Sequence, residues 1–399
     1  MATPTADANR LQTLARLADA LPRPAALVDL DAFEANLDRL VAGLGPGATT
    51  LRIASKSVRH RGLLRRALDR GGPRVRGLMC YHAAEAARLF SQSFDDLLVA
   101  YPTTQRAALG ALADAVAAGA TARIVVDSAA HLDALERAGA AAGVVLDALI
   151  DLDVSLRLGG AHLGVRRSPI RTAAAAAALA EGFAARPHTR LVGLMGYEAH
   201  IAGLPDHGLR ERAFKRVARP PVRRLRAEVV AALRAAGHEM SVINGGGTGS
   251  VPWSAADPAL TEVTAGSGLL CSHLFDANDA VALRPALFLA FEACRLPDPE
   301  HVTLGGGGII ASGPAAADRL PQPVWPPGLS YVSMEGAGEV QTPLRRSAAT
   351  PAIEIGDTVL MRPAKAGEPA ERFAAYHLVR GETIVAVEPT YRGEGQVFL

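Results

Sequence analysis

Of the 42 basic residues in this 399-residue chain only three are lysines, Lys56, Lys215 and Lys365, and every other is an arginine. GC-rich coding explains most such skews, but arginine cannot deprotonate at ordinary pH or form a Schiff base, so each surviving lysine carries information. Lys56 lies in LRIASKS, just past a strand-like run. That is where barrel enzymes gather catalytic groups, although a solvated strand-end lysine is the plain alternative. Lys215, in RERAFKRVARP, reads as one more charge on a helical surface run. Lys365, in RPAKAGE, reads as a loop residue with a structural or interface role.

Two glycine runs can supply the partner of such an amine. The stretch Asn244–Ser250 reads NGGGTGS and Thr264–Gly268 reads TAGSG, each directly after an apolar strand-like run. Glycines there let peptide N–H groups enclose a dianion, and the loops after strands seven and eight of a barrel are common phosphate sites. Asn244, Gly246, Gly247, Thr248, Gly266 and Ser267 are therefore candidate phosphate and cofactor contacts. A reactive amine needs a carbonyl, and a phosphate cradle beside it points to pyridoxal 5′-phosphate rather than a plain carbonyl substrate. The dinucleotide fingerprint fails: Ser250 stands at its third glycine and the run comes late in the chain. The run Gly305–Gly308 reads as a turn or a close domain contact.

The positioning elements follow from periodicity. Strand-like runs fall at Thr50–Ser55, Gly77–Tyr81, Leu97–Tyr101, Ala122–Asp127, Leu146–Val154, Leu191–Glu198, Met240–Asn244 and Glu262–Ala265, with alanine-rich helical stretches between them. Eight such alternations predict a closed parallel (β/α)8 barrel of the TIM type, with a doubly wound open sheet as the rival. An amphipathic helix precedes it at about Leu11–Leu21, and Ala25–Asp29 reads as a short strand opening the barrel domain. Past about Ala280 proline and glycine become dense, and short β runs appear at 286–294, 301–304, 329–334, 358–362 and 383–387. The expected domains are a helical extension over 1–24, a barrel over 25–280 and a mostly antiparallel β domain over 281–399.

Composition excludes several function classes. A formal charge of +2 gives no field for nucleic acid or anionic membranes, and the N-terminal stretch lacks a secretory apolar core. Cys80, Cys271 and Cys294 are odd in number and never spaced as CxxC, so neither a disulfide framework nor a thiolate metal site is expected. A reduced cytoplasm is the expected location.

The ordered set ALVDLDAFEANL, IASKS, GYEAH, INGGGTGS and EVTAGSG, covering Ala25 to about Gly268, resembles fold-type III pyridoxal-phosphate enzymes, specifically the D-threonine aldolase and D-serine dehydratase group related to the alanine racemase barrel. The resemblance implies Lys56 as the internal aldimine, a C-terminal β domain and a homodimer. It implies Tyr197 beside the pyridine ring, with a half-buried strand tyrosine as the plainer alternative, and it brings Glu198 and His200 to the same strand end. Arg157 is implied at the cofactor 3-oxygen or the substrate carboxylate, with Arg166 as rival. His82 is a candidate acid or base that also reads as a helix-start histidine.

Members of that group carry a divalent metal held by a segment like PNHxC. The corresponding stretch here is RPAKAGE, with Lys365 at the histidine and Gly367 at the second ligand, neither able to bind a metal. No metal ligand is therefore assigned: the site is absent or rebuilt from Glu335, Glu339 or His377, and Lys365 is a candidate to replace the cation's charge. The resemblance implies an aldolase cleaving β-hydroxy D-amino acids to a smaller amino acid and an aldehyde, the second domain supplying the base. The alternatives are β-elimination or racemisation on the same scaffold, a cofactor-homeostasis protein, and a metal-dependent hydrolase, for which His200 and Asp153 are too few ligands.

Overall fold

The computed structural model describes residues 7–398. Its centre is a closed barrel of eight parallel strands. In chain order the first eleven strands are β1 (Ala25–Asp29), β2 (Thr50–Ala54), β3 (Val75–Cys80), β4 (Leu97–Val99), β5 (Ala122–Val126), β6 (Leu146–Asp151), β7 (Leu156–Leu158), β8 (Ala161–Leu163), β9 (Thr189–Gly196), β10 (Val242–Gly245) and β11 (Glu262–Ala265). The barrel runs β10-β11-β2-β3-β4-β5-β6-β9, and β9 pairs with β10 to close it. All eight apolar runs expected from the sequence are these eight strands. They read as near-continuous apolar segments because both faces are covered, outside by helices and inside by a plug of Leu98, Val125, Leu149, Val192 and Val242.

The barrel floor is charged. Arg52 on β2 makes two 2.7 Å bonds to Glu262 on β11 and a 3.0 Å bond to Asp96, which also accepts from Arg123 at 2.7 Å. Each buried charge is thereby paired, which a buried guanidinium requires.

The second domain is a nine-stranded, mostly antiparallel sheet. It contains β12 (Leu287–Arg295), β13 (His301–Gly305), β14 (Gln322–Trp325), β15 (Leu329–Tyr331), β16 (Gln341–Arg346), β17 (Thr358–Arg362), β18 (Ala375–Arg380) and β19 (Thr383–Pro389). Its ninth strand corrects the expected boundary. β1 does not open the barrel; it lies between β12, antiparallel, and β18, parallel. A five-residue strand buried on both faces and followed by a helix has the same local signature in either sheet, and only its partners decide. The helix Ala8–Asp19 belongs there too, packing Leu11, Leu14, Ala15 and Ala18 on Leu27, Phe288 and Leu360.

The helix Leu209–Ala235 carries Pro220 and Pro221 inside it, and places Lys215 differently from expectation. Lys215 is 2% exposed and paired to Asp206 at 2.7 Å, so it closes a loop rather than decorating a surface. No described helix is long and apolar enough to cross a membrane.

Candidate active site

β2 ends at Ala54, and a single 3-10 turn, Ser55–Ser57, turns the chain across the C-terminal rim of the barrel. That turn presents Lys56, whose Nζ donates to Tyr101 Oη at 2.7 Å. Tyr101 lies two residues past β4. Burial alone would raise its pKa, but the Lys56 and Arg167 cations outweigh burial and hold the phenol below its usual value. Lys56, Tyr101, Tyr197, Arg167, Asn244, Gly246, Gly247, Thr248, Gly266 and Ser267 line one cavity at the barrel mouth.

The glycine loops form its far wall. Gly246 has φ +82, and a Cβ there would fall 2.5 Å from Val263, so only glycine allows this approach of β10 to β11. The Gly246 N–H donates to Glu198 at 3.0 Å and the Gly247 N–H to Ser250 Oγ at 3.1 Å. Glu198, fully buried, is held in turn by Arg226 at 3.0 Å and Ser254 at 2.6 Å, and Arg226 also pairs with buried Asp257. This network fixes the loop from behind. Across the cavity Thr248 Oγ1 accepts from the Gly268 N–H at 3.1 Å, and Ser57 and Ser267 hydroxyls meet at 3.1 Å. The hydroxyls of Ser57, Thr248 and Ser267, from three strand ends, therefore converge on the cavity, a donor set suited to an anion.

On the opposite side the Arg167 guanidinium lies 5.5 Å from the Tyr101 ring and 5.4 Å from that of Tyr197. Burial pushes the Tyr197 hydroxyl up to about 12, keeping it neutral at ordinary pH. Beneath them Asp151, at the end of β6, is pushed up to about 7, chiefly by burial, against the pull of Arg167. Asn244 is locked by donating to Glu262 at 2.8 Å and Thr264 at 2.7 Å.

Of the residues singled out in the sequence, Lys56, Tyr197, Asn244, Gly246, Gly247, Thr248, Gly266 and Ser267 come together in this cavity, whereas Arg157, Arg166, His82 and His200 do not. Arg157 is exposed on the β7–β8 hairpin, beside His162 and Arg166 in a separate surface recess. The hairpin spends the residues after β6 on a two-stranded excursion, and the chain returns to the rim at Arg167, the position neither reading of the arginines considered. His82 caps the helix Ala83–Ser91, accepting the Ala84 N–H at 3.2 Å, with its ring stacked on Phe398. His200, in the short helix Ala199–Ala202, is buried edge-on to Phe214 in a separate recess with Leu163 and Val165, and burial lowers its pKa. Sequence reasoning missed Tyr101, Arg167 and Ser57. Tyr101 did end a recognised barrel strand, a placement that marks functional groups; nothing local distinguished Arg167 from Arg166.

A second cavity of about 400 Å³ shares Lys56, Ser57 and Ser267 with the first and extends to Lys365 and Glu368 of the second domain. The residues here do not fit the divalent metal implied by the resemblance. An ammonium has no lone pair, Gly367 has no side chain, and neither Glu335 nor Glu339 lines the cavity. His377 faces the Ala26 carbonyl in the sheet, and among the described residues no three His, Cys, Asp or Glu side chains gather as a metal site.

A lysine on the rim of a closed parallel barrel, facing two glycine loops and backed by a second β domain, is the arrangement that defines the class of this fold. Residues 28–272 match the model of the alanine racemase N-terminal domain, and the chain belongs to that family. A curated relative, the D-threonine aldolase of Arthrobacter sp, is 28% identical over 314 residues, spanning 78% of this chain and 77% of its own. Among solved structures, the D-threonine aldolase from Filomicrobium marinum superposes with a TM-score of 0.82 at 23% identity over 94% of this chain and 96% of that one. The D-threo-3-hydroxyaspartate dehydratase from Delftia sp. HT23 gives 0.75 at 19% identity over 93% and 98%. At those identities the two structures speak to the fold.

Proposed function

We propose that this protein is a pyridoxal-phosphate-dependent lyase that cleaves β-hydroxy D-amino acids to a smaller amino acid and an aldehyde. The observation that carries the reading is Lys56 Nζ bonded to Tyr101 within a cavity walled by both glycine loops. The D-threonine aldolase relative supports the substrate class.

The donor set suits the coenzyme. Lys56 would hold its aldehyde, and the hydroxyls of Ser57, Thr248 and Ser267 would hold its phosphate. Tyr197 and Arg167 would flank its ring. When bound, the coenzyme supplies an electron sink conjugated to the substrate's α-carbon. Tyr101 keeps the Lys56 amine aimed into the cavity and, with its pKa held down, can take a proton from Nζ and return it. The Glu198–Arg226–Asp257 network keeps the loop rigid, so phosphate binding need not be preceded by ordering.

We read the protein further as a cytoplasmic homodimer. Incubation with D-threonine, D-allothreonine and D-serine tests the reaction: glycine plus aldehyde is expected, whereas ammonia plus a keto acid would make it an elimination enzyme.

A further inference from the structure

The second cavity holds a polar cluster that the reading above leaves unused. The segment after β17 passes so close to the barrel rim that a Cβ on Gly367 would lie 1.9 Å from the Lys56 carbonyl oxygen. Glycine at 367 is thus a condition for bringing Lys365 and Glu368 into the cavity that Lys56 lines. There Lys365 Nζ donates to Ser312 Oγ, and Ser312 Oγ donates to Glu368 Oε1 at 2.7 Å. The Ser312 N–H adds a 2.9 Å bond to Glu368 Oε2, and Lys365 Nζ lies 3.4 Å from Glu368 Oε1. The loop carrying Ser312 follows the run Gly305–Gly308.

An ammonium and a carboxylate side by side select their ligand by chemistry. A second carboxylate would be repelled by Glu368, and an apolar group would satisfy neither partner. A hydroxyl accepts from one and donates to the other, as Ser312 does already. The ammonium has three donors, of which Ser312 and Glu368 engage two. Independently, Ser272 lines the same cavity 1% exposed with no hydrogen-bond partner for its hydroxyl, a buried polar group waiting for one.

We propose that this cavity is the subsite for the substrate's β-hydroxyl, Lys365 donating to the oxygen and Glu368 accepting its hydrogen in place of a metal ion. The proposal rests on the reading that Lys56 carries pyridoxal phosphate, and it makes the β-hydroxyl the group by which substrates are chosen.

The test uses the protein loaded with pyridoxal phosphate and mixed rapidly with D-threonine or with D-2-aminobutyrate, the same skeleton without the hydroxyl. The first absorbance change reads affinity before turnover. Lys365→Met and Glu368→Gln are each expected to weaken D-threonine roughly 10- to 100-fold, the worth of a hydrogen bond to a charged group, and to leave D-2-aminobutyrate unchanged. The unchanged ligand also reports that each variant is folded. Equal weakening of both ligands, or of neither, overturns the proposal while leaving the coenzyme reading intact. A wild-type protein whose absorbance responds to neither ligand overturns both.

Discussion

Lys56 and Tyr101, 45 residues apart and just past the ends of different barrel strands, meet at 2.7 Å between Nζ and the phenol oxygen. The parallel barrel makes this pairing: successive strands end at one rim, so residues just past β2 and β4 face each other across β3. Replacing Tyr101 with Phe removes the hydroxyl and preserves the ring that Arg167 covers. Turnover is expected to fall about 100-fold, the usual worth of a proton-transfer partner, with coenzyme content unchanged. Steady-state kinetics beside an absorption spectrum check this, and undiminished turnover would remove Tyr101 from the mechanism.

The loop that would grip the phosphate is held by a buried ion network. Arg226 is completely buried between Glu198 and Asp257, so Arg226→Met leaves two carboxylates without a cation. Breaking such a network costs about 3–5 kcal/mol. A urea titration should show the loss, and the added change Glu198→Gln should recover part of it, because one of the stranded charges is then gone.

Stability should also depend on pH through Glu85. This carboxyl is fully buried, accepts from the Tyr81 N–H at 2.7 Å and the Tyr391 hydroxyl at 3.1 Å, and is pushed by burial up to about 7 from 4.5. Below about 4.5 it is protonated folded and unfolded alike and costs nothing. Between 4.5 and 7 the unfolded chain ionises first, so stability falls with rising pH; above about 7 the loss levels off at roughly 3 kcal/mol. Melting temperatures of wild type and Glu85→Gln should diverge over that interval and run parallel above it. A separation that does not vary with pH would contradict this.

Much of the barrel was legible because eight buried parallel strands each carry an apolar run long enough to read, and because glycine loops announce themselves. The second sheet was less so. β14 and β16 contain Pro323 and Pro343, and β18 mixes polar and apolar residues, so their strand signals are weak until partners are known. The placement of β1 failed for the same reason: pairing with β12 and β18 is decided more than 250 residues downstream. Within the site, Lys56 stood out through the scarcity of lysine, whereas Arg167 was hidden by an adjacent arginine and by a hairpin that shifts which residue reaches the rim. His82 and His200 are chemically suited to catalysis, but one caps a helix and the other lines a separate recess.

The most direct test of the whole account is covalent. The protein, incubated with pyridoxal 5′-phosphate, reduced with borohydride and digested, should yield one pyridoxyl-labelled peptide carrying the label on Lys56, and the Lys56→Ala variant should yield none. Label on Lys215 or Lys365, or an unlabelled digest from the wild type, would contradict the assignment on which the site and its chemistry rest.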